Sequence, residues 1–376
     1  MDRRVTNATA SGSGNGGATV EINMQSTPVV GSKRDLVSIL HGDAREVLKE
    51  FPDETFDCLI TDPPYSVGIT NNEKGRPRWD RSRIAFDPEF WALVYSKMRP
   101  GATALIFSAP RNFPRTAVAA EDGGFTIIDT LCWIHGQGYA AGFRHLDAEL
   151  GRVGAPELAG DFAGWGNMIR PAFEPILLAR RIGPRESLAT VIAEGGVGGL
   201  NVDACRLPAG HEDRSRTPGQ VSESATWRVD RPALDKSTPP PAGRMPSNVL
   251  LQHAPSCTAS LCIDTCPVAQ VHQQGLATRG RNEDATRFYQ SFLHHPKATR
   301  GERPEVDGIS GPTVKPLGVM DWLVKLSTRP GQLVLDPFAG TGTTLEACAL
   351  AGVRAVGIEK EAAYLPLIEK RLQGLL

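Results

Sequence analysis

Near its C-terminal end the chain carries Leu333-Val334-Leu335-Asp336-Pro337-Phe338-Ala339-Gly340-Thr341-Gly342-Thr343-Thr344. No other stretch limits the fold as tightly. The apolar run before Asp336 has the length and composition of a buried strand. Phe338 to Gly342 is a tight Gly-containing turn. From Thr343 onward Leu345, Cys348 and Ala349 recur at helical spacing, and Gly352 is a stop signal. A strand, a Gly turn and a helix N-terminus together form a cradle, because glycines let backbone approach a ligand and free N–H groups favour an anion. A full dinucleotide fingerprint would put a third Gly where Leu345 stands, and a P-loop would need Gly-Lys-Ser/Thr. A smaller nucleoside is the ligand left. A second strand, Arg354 to Ile358, ends at Glu359, 17 residues past Gly342. In such folds a carboxylate at about this place meets ribose hydroxyls. A plain βαβ turn with a solvated Glu359 fits the same letters.

The second fixed point lies far upstream, at Phe56-Asp57-Cys58-Leu59-Ile60-Thr61-Asp62-Pro63-Pro64-Tyr65. Another short strand runs into Asp-Pro-Pro-Tyr. Two prolines leave Asp62 and Tyr65 little freedom relative to each other. Each proline also lacks an N–H, so the loop offers carbonyls without those donors. A carboxylate, an exposed carbonyl and an aromatic face suit an amino group on a flat ring. A strand-ending turn is the other reading of Asp-Pro.

With both motifs intact, the chain resembles the S-adenosylmethionine-dependent DNA amino-methyltransferases, which modify adenine N6 or cytosine N4. The motif order, Asp-Pro-Pro-Tyr first and Gly turn last, resembles their permuted β class, and the segment Trp165-Gly166, Arg170-Pro171, Glu174-Pro175-Ile176 resembles phage-type members. The resemblance covers most of residues 34–376. It implies a Rossmann-like methyltransferase fold: a largely parallel seven-stranded sheet with helices on both faces and an irregular inserted target-recognition region. It implies S-adenosylmethionine as cofactor and double-stranded DNA as partner. Asp62, Pro63, Pro64 and Tyr65 would be catalytic. Asp43, Lys315, Asp336, Phe338, Gly340, Gly342, Thr343 and Glu359 would bind cofactor. Asp43 in this role contacts the adenine ring, although it reads equally as an N-cap. Lys315 would lie near the methionine portion, or cap the helix that follows.

The expected chemistry explains the residue types. The adenine amine is a weak nucleophile because its lone pair is delocalised into the ring. Asp62 and the Pro63 carbonyl would accept its two hydrogens and aim the lone pair at the sulfonium methyl. Positioning and electrostatics are the main contributions. A base inside a duplex is out of reach, so it must flip out, with Tyr65 stacking on it. Cytosine N4 is the nearest alternative, but members acting on cytosine more often carry Ser at the place of Asp62. Relatives that modify protein glutamine carry Asn there. A DNA-binding protein without turnover is the alternative from another class.

The rest of the chain bounds these expectations. The sequence has 376 residues, 40% of them hydrophobic, 22% charged, with a net charge of −1. It has room for one large domain with an insertion or for two domains, and any DNA-binding surface must be local. No apolar run reaches 18 residues and no secretory h-region is present, so a cytoplasmic protein of a bacterium or phage-infected host is expected, away from membranes. Oligomeric state is open between monomer and homodimer. Residues 1–33, rich in Gly, Ser, Thr and Asn, read as a disordered tail. Residues 34–182 read as the catalytic half and 306–376 as the cofactor-binding half. Between them, 183–305 reads as the target-recognition region, where Pro, Gly, Ser and Arg accumulate around Pro239-Pro240-Pro241. Strands are expected at about 36–40, 57–61, 104–107, 126–133, 175–179, 333–335 and 354–358. Basic residues around Trp79 (Lys74, Arg76, Arg78, Arg81, Arg83) and the segment Arg287 to Lys297 suit phosphate contacts, or plain charged loops. Seven cysteines suggest thiols or a metal rather than a disulfide framework. Four residues, His253, Cys257, Cys262 and Cys266, have a spacing that fits four ligands of a structural zinc, although Cys is also often simply buried.

Overall fold

Two short runs with no polar face to spare, Phe56–Thr61 and Leu333–Asp336, are buried at every position. Such runs belong to parallel strands covered on both sides. The computed structural model describes residues 33–67, 82–135, 143–207, 243–254, 256–258, 261–277, 289–292, 304–310 and 314–375. The N-terminal tail up to residue 32, the basic cluster around Trp79 except Arg83, the Pro239–Pro241 run and most of 287–297 lie outside the described residues.

The strands are β1 (Val37–His41), β2 (Phe56–Thr61), β3 (Met98–Phe107), β4 (Thr126–Ile134), β5 (Phe173–Arg180), β6 (Val249–Gln252), β7 (Gln290–Phe292), β8 (Glu305–Val306), β9 (Ile309–Ser310), β10 (Leu333–Asp336) and β11 (Arg354–Glu359). Nine of them form one sheet in the order β1-β11-β10-β2-β3-β5-β4-β6-β7, and β8 and β9 pair in a second, two-stranded sheet. Within the large sheet, β5 alone runs against its neighbours β3 and β4; every other pairing is parallel. All seven expected strands are present, and β6 and β7 extend the sheet further.

The helices are α1 (Ala44–Lys49), α2 (Pro88–Lys97), α3 (Phe113–Asp122), α4 (Leu146–Arg152), α5 (Leu188–Ala193), α6 (Pro267–Ala277), α7 (Leu317–Ser327), α8 (Thr343–Leu350) and α9 (Leu365–Gln373). Side chains alternate across the central strands, as period-2 geometry requires. Cys58, Ile60, Leu105, Phe107 and Val334 join one apolar cluster with α7, α8 and α9. Leu59, Ala104, Ile106, Leu335 and Ile358 join the other, with Leu48 of α1, Phe90, Trp91 and Val94 of α2, and Ala119 and Ala120 of α3. α2 starts where its letters say it should: Asp87 accepts from Glu89 N at 3.0 Å, and Pro88 occupies the first turn.

Residues 34–182 and 306–376 interleave in this sheet. β1 pairs with β11, and β10 inserts between β11 and β2. Because β2 and β10 are parallel neighbours, with Val334 opposite Cys58 and Leu335 opposite Leu59, both signature motifs leave the same edge of the sheet side by side. That edge is where open α/β folds place ligand crevices.

A candidate active site at the ends of two adjacent strands

Two carboxylates clip β2 to β10. At the start, Asp57 Oδ2 accepts from Leu333 N at 2.8 Å. At the end, Asp336 Oδ1 accepts from Thr61 Oγ1 at 2.8 Å and from Phe338 N at 3.2 Å. Asp336 is buried, which pushes its carboxyl up to about 6 despite hydrogen bonds from Thr344 and Thr61. Its observed contacts organise backbone, joining one motif to the other.

The Gly turn follows. Gly340 and Gly342 have φ of +55° and +82°, a region that L side chains enter at a cost. A Cβ on Gly342 would also come 2.9 Å from Ile368, whereas one on Gly340 would meet nothing nearer than Phe338 O at 3.9 Å. Gly342 is thus required by packing, while Gly340 leaves open space in front of the backbone. Thr343 begins α8 and is buried. Phe338 packs against Phe90 with ring centroids 5.4 Å apart.

Glu359 closes the turn from the neighbouring strand. Its carboxylate accepts from Gly340 N and from Glu361 N, each at 2.7 Å. Burial raises this carboxyl to about 7 despite those two bonds. Asp43 satisfies its capping role, accepting from Arg45 N at 3.0 Å, and its other oxygen takes Lys360 Nζ at 2.8 Å.

The raised carboxyl of Glu359 has a measurable consequence. The folded chain retains a proton there that the unfolded chain loses above about 4.5, so stability from this group is full below that value and is lost as pH rises through about 7. Thermal melting should therefore fall as pH rises across that window. In Glu359→Gln the fall should flatten; an unchanged slope would assign the pH dependence to other groups.

The Asp-Pro-Pro-Tyr turn carries a denser cluster. Lys315, just before α7, puts Nζ 2.8 Å from Asp62 Oδ2, 3.1 Å from Glu174 Oε2 and 3.0 Å from the Tyr65 hydroxyl. Tyr65 donates to Glu174 Oε2 at 2.8 Å. The ammonium also lies 5.0 Å from the Tyr65 ring centroid and 5.1 Å from that of Phe107. Pro63 is buried and Pro64 half-buried. Asp62 Oδ1 is buried, and no described residue donates a hydrogen bond to it. An orphaned carboxylate oxygen of this kind is costly and marks a place for a donor.

The two acids divide their roles. Burial raises the Asp62 carboxyl; Lys315 opposes that effect, and the charge on Glu174 adds to it. Burial pushes Glu174 the same way, but Lys315 and the Tyr65 hydroxyl outweigh it and leave Glu174 below its ordinary value. Lys315 stays charged because the two carboxylates outweigh its burial. Glu174 is the firm counter-ion, and Asp62 is the more proton-accepting acid.

Sequence reasoning missed part of this arrangement. Glu174 figures in the sequence only within the Glu174-Pro175-Ile176 resemblance, with no role at the site. Asn112, at the N-terminus of α3, donates from Nδ2 to Tyr65 O at 2.7 Å, and Arg111 donates to Val67 O at 2.7 Å. These bonds hold the exit of the turn, where Ser66 has φ of +52°. The sequence hinted at this only through Asn112 preceding Phe113-Pro114, a helix-start pattern.

The N6/N4 DNA methylase family model matches residues 56–370. Over 63 residues the chain is 40% identical to the type II methyltransferase M2.DpnII of Streptococcus pneumoniae, covering 17% of this chain and 24% of that protein. It is 41% identical over 63 residues to M.HinfI of Haemophilus influenzae, covering 17% of this chain and 18% of that one. The chain thus spans about a quarter or less of the length of these curated relatives. Among solved structures, the PvuII cytosine-N4-specific DNA methyltransferase superposes with a TM-score of 0.47 and 12% identity, over 90% of this chain and 89% of that one. The M1.HpyAVI–SAM complex superposes with a TM-score of 0.44 and 17% identity, over 89% and 98%. The family match runs through both signature motifs and most of the sheet that joins them, and on that ground the chain belongs to the N6/N4 DNA methylase family.

Proposed function

We propose that the chain transfers a methyl group from S-adenosylmethionine to the exocyclic N6 amine of an adenine flipped out of double-stranded DNA. One observation carries this reading: the buried Asp62 Oδ1, to which no described residue donates, stands at the end of the strand beside the one that carries the Gly turn.

The residues fit a nucleoside-bearing cofactor. Open backbone at Gly340, the N-terminus of α8 and the buried Glu359 carboxylate offer space, N–H donors and a hydroxyl acceptor in one place. Phe338 and Asp43 flank the same sheet edge. When bound, S-adenosylmethionine supplies an activated methyl group. The chain's own residues prepare the amine. Lys315, itself anchored by Glu174, takes Asp62 Oδ2 and leaves Oδ1 for an N–H donor. The Pro63 carbonyl would take the second hydrogen. Accepting both hydrogens localises the nitrogen lone pair, and the nitrogen sheds a proton as its new bond to carbon forms. A carboxyl raised by burial receives that proton more readily than an exposed one. The Tyr65 ring, anchored through its hydroxyl to Glu174, would stack on the extruded base.

The test is to express the protein in cells, digest their genomic DNA to nucleosides and analyse it by mass spectrometry, with long-read modification mapping of the same sample. N6-methyladenine confined to one short sequence is the expected result. N4-methylcytosine instead would keep the site and the mechanism but overturn the base. Neither mark, from protein shown to bind S-adenosylmethionine, would overturn DNA amine methylation.

A further inference from the structure

We infer that His253, Cys257, Cys262 and Cys266 hold a structural zinc ion that staples the outer edge of the sheet. Their ligand atoms all lie within 4.8 Å of one another. His253 Nδ1 is 3.3 Å from Cys262 Sγ and 3.6 Å from Cys266 Sγ, and the Cys257 and Cys262 sulfurs are 3.5 Å apart. Tetrahedral zinc, bonded at about 2.3 Å to sulfur and about 2.0 Å to nitrogen, sets sulfurs about 3.8 Å apart and sulfur about 3.5 Å from nitrogen. These three separations lie within about 0.3 Å of the values for such a shell. All three cysteines are free thiols.

The position of the cluster explains why an ion would be needed. His253 directly follows β6, and its N–H donates to Phe292 O of β7 at 2.9 Å. Cys266 directly precedes α6, and Ala254 N donates to its sulfur at 3.3 Å, a bond that a thiolate accepts well. Cys257 and Cys262 come from the loop between. Strand, loop and helix thus meet at four side chains. Among the described residues the buried apolar cluster there is Leu251, Ala254, Cys257, Cys266 and Val268, two of them ligands, with Ile134, Val249, Cys262, Ile263, Ala269 and Tyr289 half-buried against it. So small a core does not order three segments by burial alone, and metal coordination supplies folding energy directly. Three soft sulfurs and an imidazole select zinc over hard cations. Four protein ligands leave no open position, so the ion is structural and takes no part in the chemistry at Asp62. The inference stands independently of which base, or whether any base, is methylated.

The experiment uses the full chain, expressed with zinc supplied and purified without chelator. Elemental mass spectrometry should find zinc at about one equivalent per chain. Exchange with Co(II) should give thiolate-to-cobalt charge-transfer absorption and the visible bands of a tetrahedral site. Cys262→Ser and Cys266→Ser should each lose most of the metal, while Cys132→Ser, outside the cluster, should keep it. Removing the ion should increase hydrogen exchange and protease cleavage within residues 249–277. Zinc-free wild-type protein, a Cys257–Cys262 disulfide in freshly purified protein, or full zinc content in both cluster variants would overturn the inference.

Discussion

Replacing Asp62 by Ala is expected to lower methyl transfer by about 10³-fold or more while S-adenosylmethionine binding changes by about two-fold or less. The reason is the separation of the two halves of the site. Asp62 interacts with Lys315 and the Tyr65 hydroxyl, whereas the Gly turn is held by Asp336 and Glu359. The variant should also fold. Lys315 keeps Glu174 at 3.1 Å and the Tyr65 hydroxyl at 3.0 Å, so no buried ammonium is left unpaired. Loss of an orphaned carboxylate oxygen even removes a burial cost. Single-turnover kinetics with calorimetric cofactor binding read the two effects separately. Normal turnover in the variant would remove Asp62 from the chemistry. In the wild type the acid limb of the rate profile should lie above the usual carboxylate range, because burial raises the Asp62 carboxyl and protonation occupies the acceptor. An acid limb at the ordinary value would show that a different group controls transfer.

Asp336→Ala is expected to cost about 2–4 kcal/mol of stability. Asp336 is 1% exposed and serves Thr61 Oγ1, Phe338 N and the Thr344 side chain. Alanine leaves those donors buried without an acceptor, at about 1–3 kcal/mol for each one not re-satisfied. The sum is offset in part because the carboxylate's own burial is unfavourable, as its rise to about 6 shows. Thr61→Val, which removes one donor and orphans nothing but part of the acceptor, should cost clearly less. Denaturant unfolding of the two variants measures the difference. Cofactor affinity should fall in Asp336→Ala as well, because Phe338 N and the turn after it lose their anchor. Wild-type stability in Asp336→Ala would show that the clip between β2 and β10 is unimportant.

Much of the fold was legible because its signals are local. Leu333–Asp336 and Phe56–Thr61 are uninterrupted buried runs, and each ends in a polar or Gly-Pro turn that cannot continue a strand. The expected four-residue strand at 104–107 is only the end of β3, which runs from Met98 to Phe107. Pro100 and Gly101 break the pattern at its start. There Gly101 adopts φ of +81°, and a Cβ would come 2.0 Å from Val197 O. The strand survives because a neighbouring segment packs where a side chain would have been. β6 and β7, at four and three residues, carry too few letters for periodicity to register. They exist because β4 offers β6 a parallel edge to pair with.

The candidate site divides along the same line. The sequence alone determined the Asp-Pro-Pro-Tyr turn and the Gly turn, because proline and glycine restrict or free φ at their own positions, whatever surrounds them. It also determined the four-residue His/Cys spacing, since those ligands come from one short segment. Only the tertiary structure decided that β2 and β10 are neighbours, joined by Thr61 and Asp336 across 275 positions. Only it brought Lys315 and Glu174 to Tyr65, and only there did Asp62 acquire an environment different from that of Glu174. Burial and charge proximity belong to the folded chain, and no residue's letters contain them.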